Sequence, residues 1–398
     1  MNGTMSMNEL LNLLNEDIDV YEVKNWFEIC QLAQQHNVHI LLYKLVKDAL
    51  PEDHYCPRLF QLQAKRSLES NLLLISLSKT VNSLFLRNGL TPVFLKGMDL
   101  LLKGIAKIDE RPLADIDLLI APENWLNAID VLKSNGYVID KHYIDQYPQE
   151  FIKKYGSNLP LQYKNAEVEI IRDPLTMNAF RKLTKWDFNT WKPNLVKINN
   201  QGSEYTLPGE TESIIYIINH MLLDHNQLRL IWLRDIHLSI EMNKSFSFEN
   251  LVKTANKYKF AKLVYIALFF SKKYFKTRID EEMLKNLEIK IDSSFLDFIQ
   301  KILLNNVTTN MTDVRHRSYK YMLNNRKDLL LFSLYHFFPC FDYMKKRYGI
   351  KSYQVPVRYL KRIFSVLKRK ETAEKKTLKE KGKVTAVITN QIEGHASK

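Results

Sequence analysis

The hydrophobic period changes twice along this chain, and that change constrains the fold more than any single motif. Over residues 8–48 and 57–88 apolar side chains recur every three to four positions, the repeat of helices with one buried face. Between 91 and 205 the pattern shortens to strand-like runs, "TPVFLKG", "LADIDLLI", "YVID" and "LQYKNAEVEIIR", the last a hairpin around Asn165. Helical stretches separate them, such as "PENWLNAIDVLKSNG", with Pro122 near its start and Gly136 just past its end. From 208 the helical period returns in "ETESIIYIINHMLLDH", "LRLIWLRDIHLSIEM", "SFENLVKTANKYK" and "AKLVYIALFFSKKYF". The prediction is an α+β protein: N-terminal helices over 1–90, an α/β core over 91–205, a C-terminal helical domain over 206–370, and a basic, flexible tail over 371–398.

With 398 residues, 45% hydrophobic and 26% charged, the chain can bury a sizeable core. The net charge is +14, unevenly spread: residues 355–384 hold eleven Lys/Arg against three Glu, a net of +8. Such a tail suits an anionic membrane surface or a nucleic acid backbone, or is a solvated helix end. The helix expected over 357–370 places Val357, Leu360, Phe364 and Leu367 on one face, ready to pack on the domain or on a membrane.

Three cysteines, Cys30, Cys56 and Cys340, are widely spaced and odd in number. They support neither a disulfide framework nor a zinc site, and a reducing, cytoplasmic setting is expected. The N-terminus lacks the pattern of a signal peptide. The longest apolar run, 329–341, is too short to span a bilayer and is expected to be a buried helix. No P-loop, G-x-G-x-x-G or G-x-S-x-G motif occurs, which excludes those nucleotide-binding and hydrolase classes.

The stretch "RPLADIDLLI" (111–120) raises the chemical question. It reads as a strand with Ile116, Leu118 and Ile120 on one face and Asp115 and Asp117 on the other. Residues i and i+2 of a strand lie roughly 7 Å apart on one side, so the two carboxylates repel unless a cation sits between them. A hard divalent cation prefers such oxygen ligands. The hairpin segment "EVEII" adds Glu167 and Glu169 on one face, a source for a third acid. The bland alternative has the two aspartates capping a strand start or pairing with Arg111 and Lys96. Upstream, "FLKGM" is a strand ending at Lys96-Gly97 and entering a helix, a turn where backbone can approach phosphate.

These residues resemble a known family. "FLKGM…RPLADIDLLI…EVEI" is similar to the minimal core of the DNA polymerase beta-like nucleotidyltransferase superfamily. More narrowly, it resembles the bacterial uncharacterised nucleotidyltransferase family with the pattern LKG, then R-x-x-x-D-[IV]-D-L-[LV]. The likeness extends over roughly 20–370 and includes "IINHMLLDHNQLRLIWLRDIHLSI". It implies a nucleotidyltransferase-type mixed sheet with Asp115, Asp117 and Glu169 as metal ligands and catalytic acids. It puts Gly97 at a phosphate turn beside Lys96 and Met98, and Arg111 on the loop approaching the metal strand. His220, His225 and Arg229 would line the cleft and bind substrate. The chain departs from the superfamily pattern at Gly97-Met98, where Gly-Ser or Gly-Gly is usual, and after Glu169, where no His follows. Arg172 is a possible substitute phosphate contact.

His220 and His225, five apart, fall about 140° apart on an α-helix, which disfavours joint metal binding, whereas Asp224 shares a face with His220. Arg229, Arg234 and Asp235 are expected to form an ion pair or to position substrate. The expected activity is Mg²⁺-dependent (or Mn²⁺-dependent) transfer of a nucleoside monophosphate from an NTP to an unknown acceptor. Three other readings stay open: a sugar- or phosphate-modifying enzyme on the same scaffold, a toxin-like nucleotidyltransferase acting on RNA or protein, and a non-catalytic binding protein.

Overall fold

The N-terminal periodicity is realised as four helices, α1 (Asn2–Leu14), α2 (Trp26–Gln35), α3 (His39–Val46) and α4 (Tyr55–Arg87). Pro57 sits in the first turn of α4, where its missing N–H costs nothing. Gly89, at φ +70°, follows its C-cap in the left-handed conformation that glycine adopts most readily. The computed structural model describes residues 2–364 apart from 245, 280, 288, 290, 292, 310–322 and 363. The chain divides into two compact units, Met1–Phe332 and Ser333–Lys398.

The middle of the first unit is a seven-stranded mixed sheet: β1 (Val93–Phe94), β2 (Ile116–Leu119), β3 (Val138–Ile139), β4 (Asn158–Tyr163), β5 (Ala166–Ile171), β6 (Val196–Asn200) and β7 (Ser203–Leu207). Their spatial order is β3-β4-β5-β2-β1-β7-β6. The hairpin around Asn165 is β4–β5. The β6–β7 hairpin was not separately legible in the sequence. β2 and β5 run parallel, with Ile116 opposite Val168, Asp117 opposite Glu169 and Leu118 opposite Ile170.

That register sorts the side chains by face. Ile116, Leu118, Val168 and Ile170 join one core with Leu74, Val81 and Phe85 of α4 and with Trp125, Ala128 and Leu132 of α6 (Trp125–Ser134). Each buried Val, Leu, Ile or Phe among them stabilises the fold by about 1.5–3 kcal/mol. Strand alternation then carries Asp117 and Glu169 to the opposite face. Helix α5 (Lys96–Leu102) connects β1 to β2, α7 (Lys141–Gln146) and α8 (Gln149–Tyr155) lie between β3 and β4, and α9 (Asn178–Thr184) and α10 (Phe188–Trp191) lie between β5 and β6.

The returning helical period becomes α11 (Glu210–Asn219), a π-helical turn (His220–His225), α12 (Leu230–Glu241), α13 (Phe248–Lys257) and α14 (Ala261–Phe275). The N-terminal helices meet α12 at His36, which is 1% exposed. Its Nδ1 accepts the Leu230 N–H at 3.3 Å, and its carbonyl accepts the Ile231 N–H. Burial, and then the charge of Arg229, hold the His36 imidazole down at about 4, against an ordinary 6.5. Folding therefore selects neutral His36. Its contribution is complete above the unfolded value and is lost as pH falls from about 6.5 toward 4, by roughly 3 kcal/mol at the end. His36→Asn, which keeps an acceptor that does not titrate, is expected to flatten the stability profile over that window. Urea midpoints from about pH 7 to about pH 4 check this, and an unchanged slope would exclude His36 as the source.

The helix over Arg326–Phe337 departs from the buried helix expected there. Phe332 is buried, but Leu330 is 62% and Leu334 45% exposed, because apolar residues run around the helix rather than along one stripe. In the second unit, Tyr359 donates to the Pro339 carbonyl and Arg358 stacks on Tyr348 at 3.9 Å. Val357, Leu360 and Phe364 are exposed, while Leu367 and the tail expected over 371–398 lie outside the described residues. No helix among the described residues is long and apolar enough to cross a membrane.

Candidate active site

β2 begins at Ile116, so Asp115 lies on the approach to the strand and Asp117 within it. The cross-strand register supplies Glu169 beside Asp117. One oxygen from each of Asp115, Asp117 and Glu169 lies within 4.8 Å of the others. Among the described residues this is the sole group of three such ligands. It opens on a cleft of about 690 Å³ that also takes in Lys96, Glu167, Tyr216, His220, His225, Arg229 and Trp232.

The charges of this cluster are unbalanced. Lys96 Nζ lies 2.7 Å from Asp117 Oδ1 and 3.8 Å from Glu169 Oε2. It returns one positive charge to three carboxylates. Asp117 is 2% exposed; burial, and then the charge of Asp115, push its carboxyl well above the usual range, with Lys96 opposing. Burial works against the Lys96 ammonium, but Asp117 holds it charged well above its ordinary value. Burial and Asp115 also raise Glu167, whose carboxylate accepts from Gln162. Asn158 donates to Glu169. An all-oxygen set short of positive charge fits a hard divalent cation such as Mg²⁺ or Mn²⁺. Lys96 holds φ at +52°, a conformation costing about 1–3 kcal/mol for a non-glycine residue. That conformation accompanies its placement over the acids.

Replacing Lys96 by Met should lower the metal-free melting temperature at neutral pH, because breaking a buried pair costs about 3–5 kcal/mol. Millimolar Mn²⁺ should then raise the melting temperature of the variant more than that of the wild type. A variant that melts like the wild type and ignores Mn²⁺ would contradict this account of the charges.

The loop that delivers Asp115 is tied down from three helices. Asn71 of α4 donates to the carbonyls of Ile108 and Arg111 and accepts the Leu113 N–H at 2.8 Å. Glu110 takes Lys44 of α3 at 2.9 Å and Arg234 of α12 at 2.6 Å. Burial opposes its charge, yet these two cations hold its carboxyl down at about 2. Arg111 does not reach the aspartates as the bland reading supposed. Its Nη2 and Nε bind Asp235 at 2.9 and 3.3 Å, and its Nη1 donates to the Pro112 carbonyl. Gly97 makes room for this arrangement: a Cβ there would lie 2.5 Å from Leu113 Cδ2 and 2.8 Å from Arg111 Nη1. The glycine thus lines the cleft and also packs under the loop.

Across the cleft stands the π-helical turn. Its i→i+5 closure brings residues five apart alongside one another, which the α-helical angle did not anticipate. The His220 and His225 rings meet edge to face with centroids 4.4 Å apart, and Trp232 lies 5.0 and 4.8 Å from them. Burial, and then His220, hold His225 down at about 3. Asp224 Oδ2 lies 3.8 Å from His220 Nδ1, and Asp224 accepts from Thr176. Arg229 lies over Trp232 at 5.3 Å.

Of the remaining residues singled out in the sequence, Met98 is 1% exposed and packs in the sheet core. Arg172 donates to the carbonyls of Lys153 and Lys154 at the end of α8, away from the acids. Asn37, His39, Tyr147, Asn158 and Thr176 also line the cleft, and with Asn71 they escaped the sequence reading. None carries a local signal, since each reaches the site through packing.

A mixed sheet that sets D-x-D beside a third acid on a parallel neighbour, with helices around it, is the arrangement that the resemblance to nucleotidyltransferases implies. Residues 22–276 match the family described as uncharacterised nucleotidyltransferase, well over half of the chain, and the protein belongs to that family. A search of curated proteins finds no match.

Proposed function

We propose that the protein transfers a nucleoside monophosphate from an NTP to a hydroxyl or phosphate of an acceptor, using Mg²⁺ or Mn²⁺ held by Asp115, Asp117 and Glu169. The observation that carries this reading is the convergence of the three carboxylates within 4.8 Å at the cleft, inside the region matched by the family. The acceptor oxygen forms a bond to the α-phosphorus, a hydroxyl acceptor giving up its proton to solvent, while the bond from that phosphorus to the bridging oxygen breaks and pyrophosphate leaves with the electron pair. Bound metal would supply positive charge to the attacking oxygen and the departing pyrophosphate.

The chain's own groups do the rest. Asn158 and Gln162 orient Glu169 and Glu167 by hydrogen bonds. Lys96 keeps the acid cluster partly neutralised. Asn37 and His39 from the N-terminal helices, and Tyr216, His220, Arg229 and Trp232 from the segment after β7, line the cleft and confine the substrates.

The test is to incubate the protein with each α-labelled NTP, Mg²⁺ or Mn²⁺ and a cell extract, and to isolate what becomes labelled. A labelled acceptor that forms with metal and vanishes in EDTA supports the reading. The absence of any labelled product with all four nucleotides would refute it.

A further inference from the structure

The cleft wall contains a cation that no carboxylate compensates among the described residues. Three arginines lie at or beside the cleft wall, and two are neutralised: Arg111 by Asp235 and Arg234 by Glu110. Arg229 differs. Among the described residues its guanidinium makes no ion pair, and its Nε is buried with no hydrogen-bond partner. It rests on the face of Trp232 at 5.3 Å, an orientation that fixes a planar fork. Beside it stands the His225 ring, 4.8 Å from Trp232. His39, on the same cleft wall, has a buried Nδ1 without a partner.

An unpaired guanidinium in a part-buried wall is costly unless an anion completes it. Burial alone lowers the affinity of Arg229 for its proton. Arginine's fork matches the tetrahedral oxygens of phosphate two at a time.

We infer that Arg229, stacked on Trp232 beside His225, is a phosphate-binding site in the cleft wall, built for a phosphate group of the nucleotide or of the acceptor. The choice of phosphate over other anions rests on the nucleotidyl-transfer reading. The binding itself needs neither metal nor turnover.

The test is therefore run in EDTA, by calorimetric titration of inorganic pyrophosphate into the full chain. The wild type should bind saturably. Arg229→Gln should bind about 10- to 100-fold more weakly, the loss expected for charge-assisted hydrogen bonds, and Arg229→Lys should fall between. Because the glutamine relieves an unpaired charge, its melting temperature should equal or exceed that of the wild type, which separates lost binding from lost folding. Asp115→Asn, which removes a negative charge from the same cleft, should bind pyrophosphate at least as tightly as the wild type, so failure of the metal site and failure of this site read out separately. Competition by ATP would assign the site to the nucleotide's own phosphates; simultaneous binding would assign it to a phosphorylated acceptor. Equal affinity in Arg229→Gln, or no pyrophosphate binding by the wild type, overturns the inference.

Discussion

Asp115→Asn is expected to abolish nucleotidyl transfer while leaving the fold intact. Charge stabilisation by metal is worth several kcal/mol, so losing one ligand oxygen charge should lower kcat by about 10³-fold or more. The fold should not suffer, because Asp115 is a source of strain rather than of cohesion: its charge helps push up Asp117 and Glu167. Removing a like charge from three carboxylates within 4.8 Å should hold or raise the metal-free melting temperature. Transfer of labelled nucleotide and a melting curve in EDTA check the two halves. Retained activity would refute the metal role, and a large fall in melting temperature would assign Asp115 a structural role.

Asp235→Ala should produce the largest loss of stability, about 3–5 kcal/mol, since it strands a buried guanidinium. Asp235 is 1% exposed and binds Arg111 through both oxygens. The loss should reach activity too, because Arg111 sits four residues before Asp115 and its side chain packs over Gly97. The double variant Arg111→Met, Asp235→Leu should recover much of the stability, as apolar replacement of a buried pair commonly does, without recovering full transfer. Urea unfolding of the two variants, each paired with the labelled-nucleotide assay, checks this. A single variant as stable as the wild type would show that the pair does not hold the loop.

Much of the acid end of the site was readable before any coordinates. Alternation in "DIDLL" and "EVEII" separates the acids from the apolar face, and β2 and β5 realise that separation with Asp117 opposite Glu169. Asp115 precedes β2 instead of sharing the strand with Asp117, while Glu169 stands across from Asp117 on the hairpin strand that was expected to offer a third acid. The helical end was harder to read. A 3.6-residue period puts His220 and His225 apart, and only the π-helical turn brings them together. The expected pairing among Arg229, Arg234 and Asp235 also changed, because Arg111 and Glu110 enter from 124 residues away and take Asp235 and Arg234.

By itself the sequence determined the order of helical and strand-bearing regions and which strand faces carry carboxylates, because those properties follow from the side chains of near neighbours in the chain. Tertiary structure alone decided which cation each acid keeps, which glycine must stay small, and that among the described residues Arg229 is left without an ion pair. Those outcomes depend on how α3, α4 and α12 pack against one loop, and a local period carries no information about contacts made across the fold.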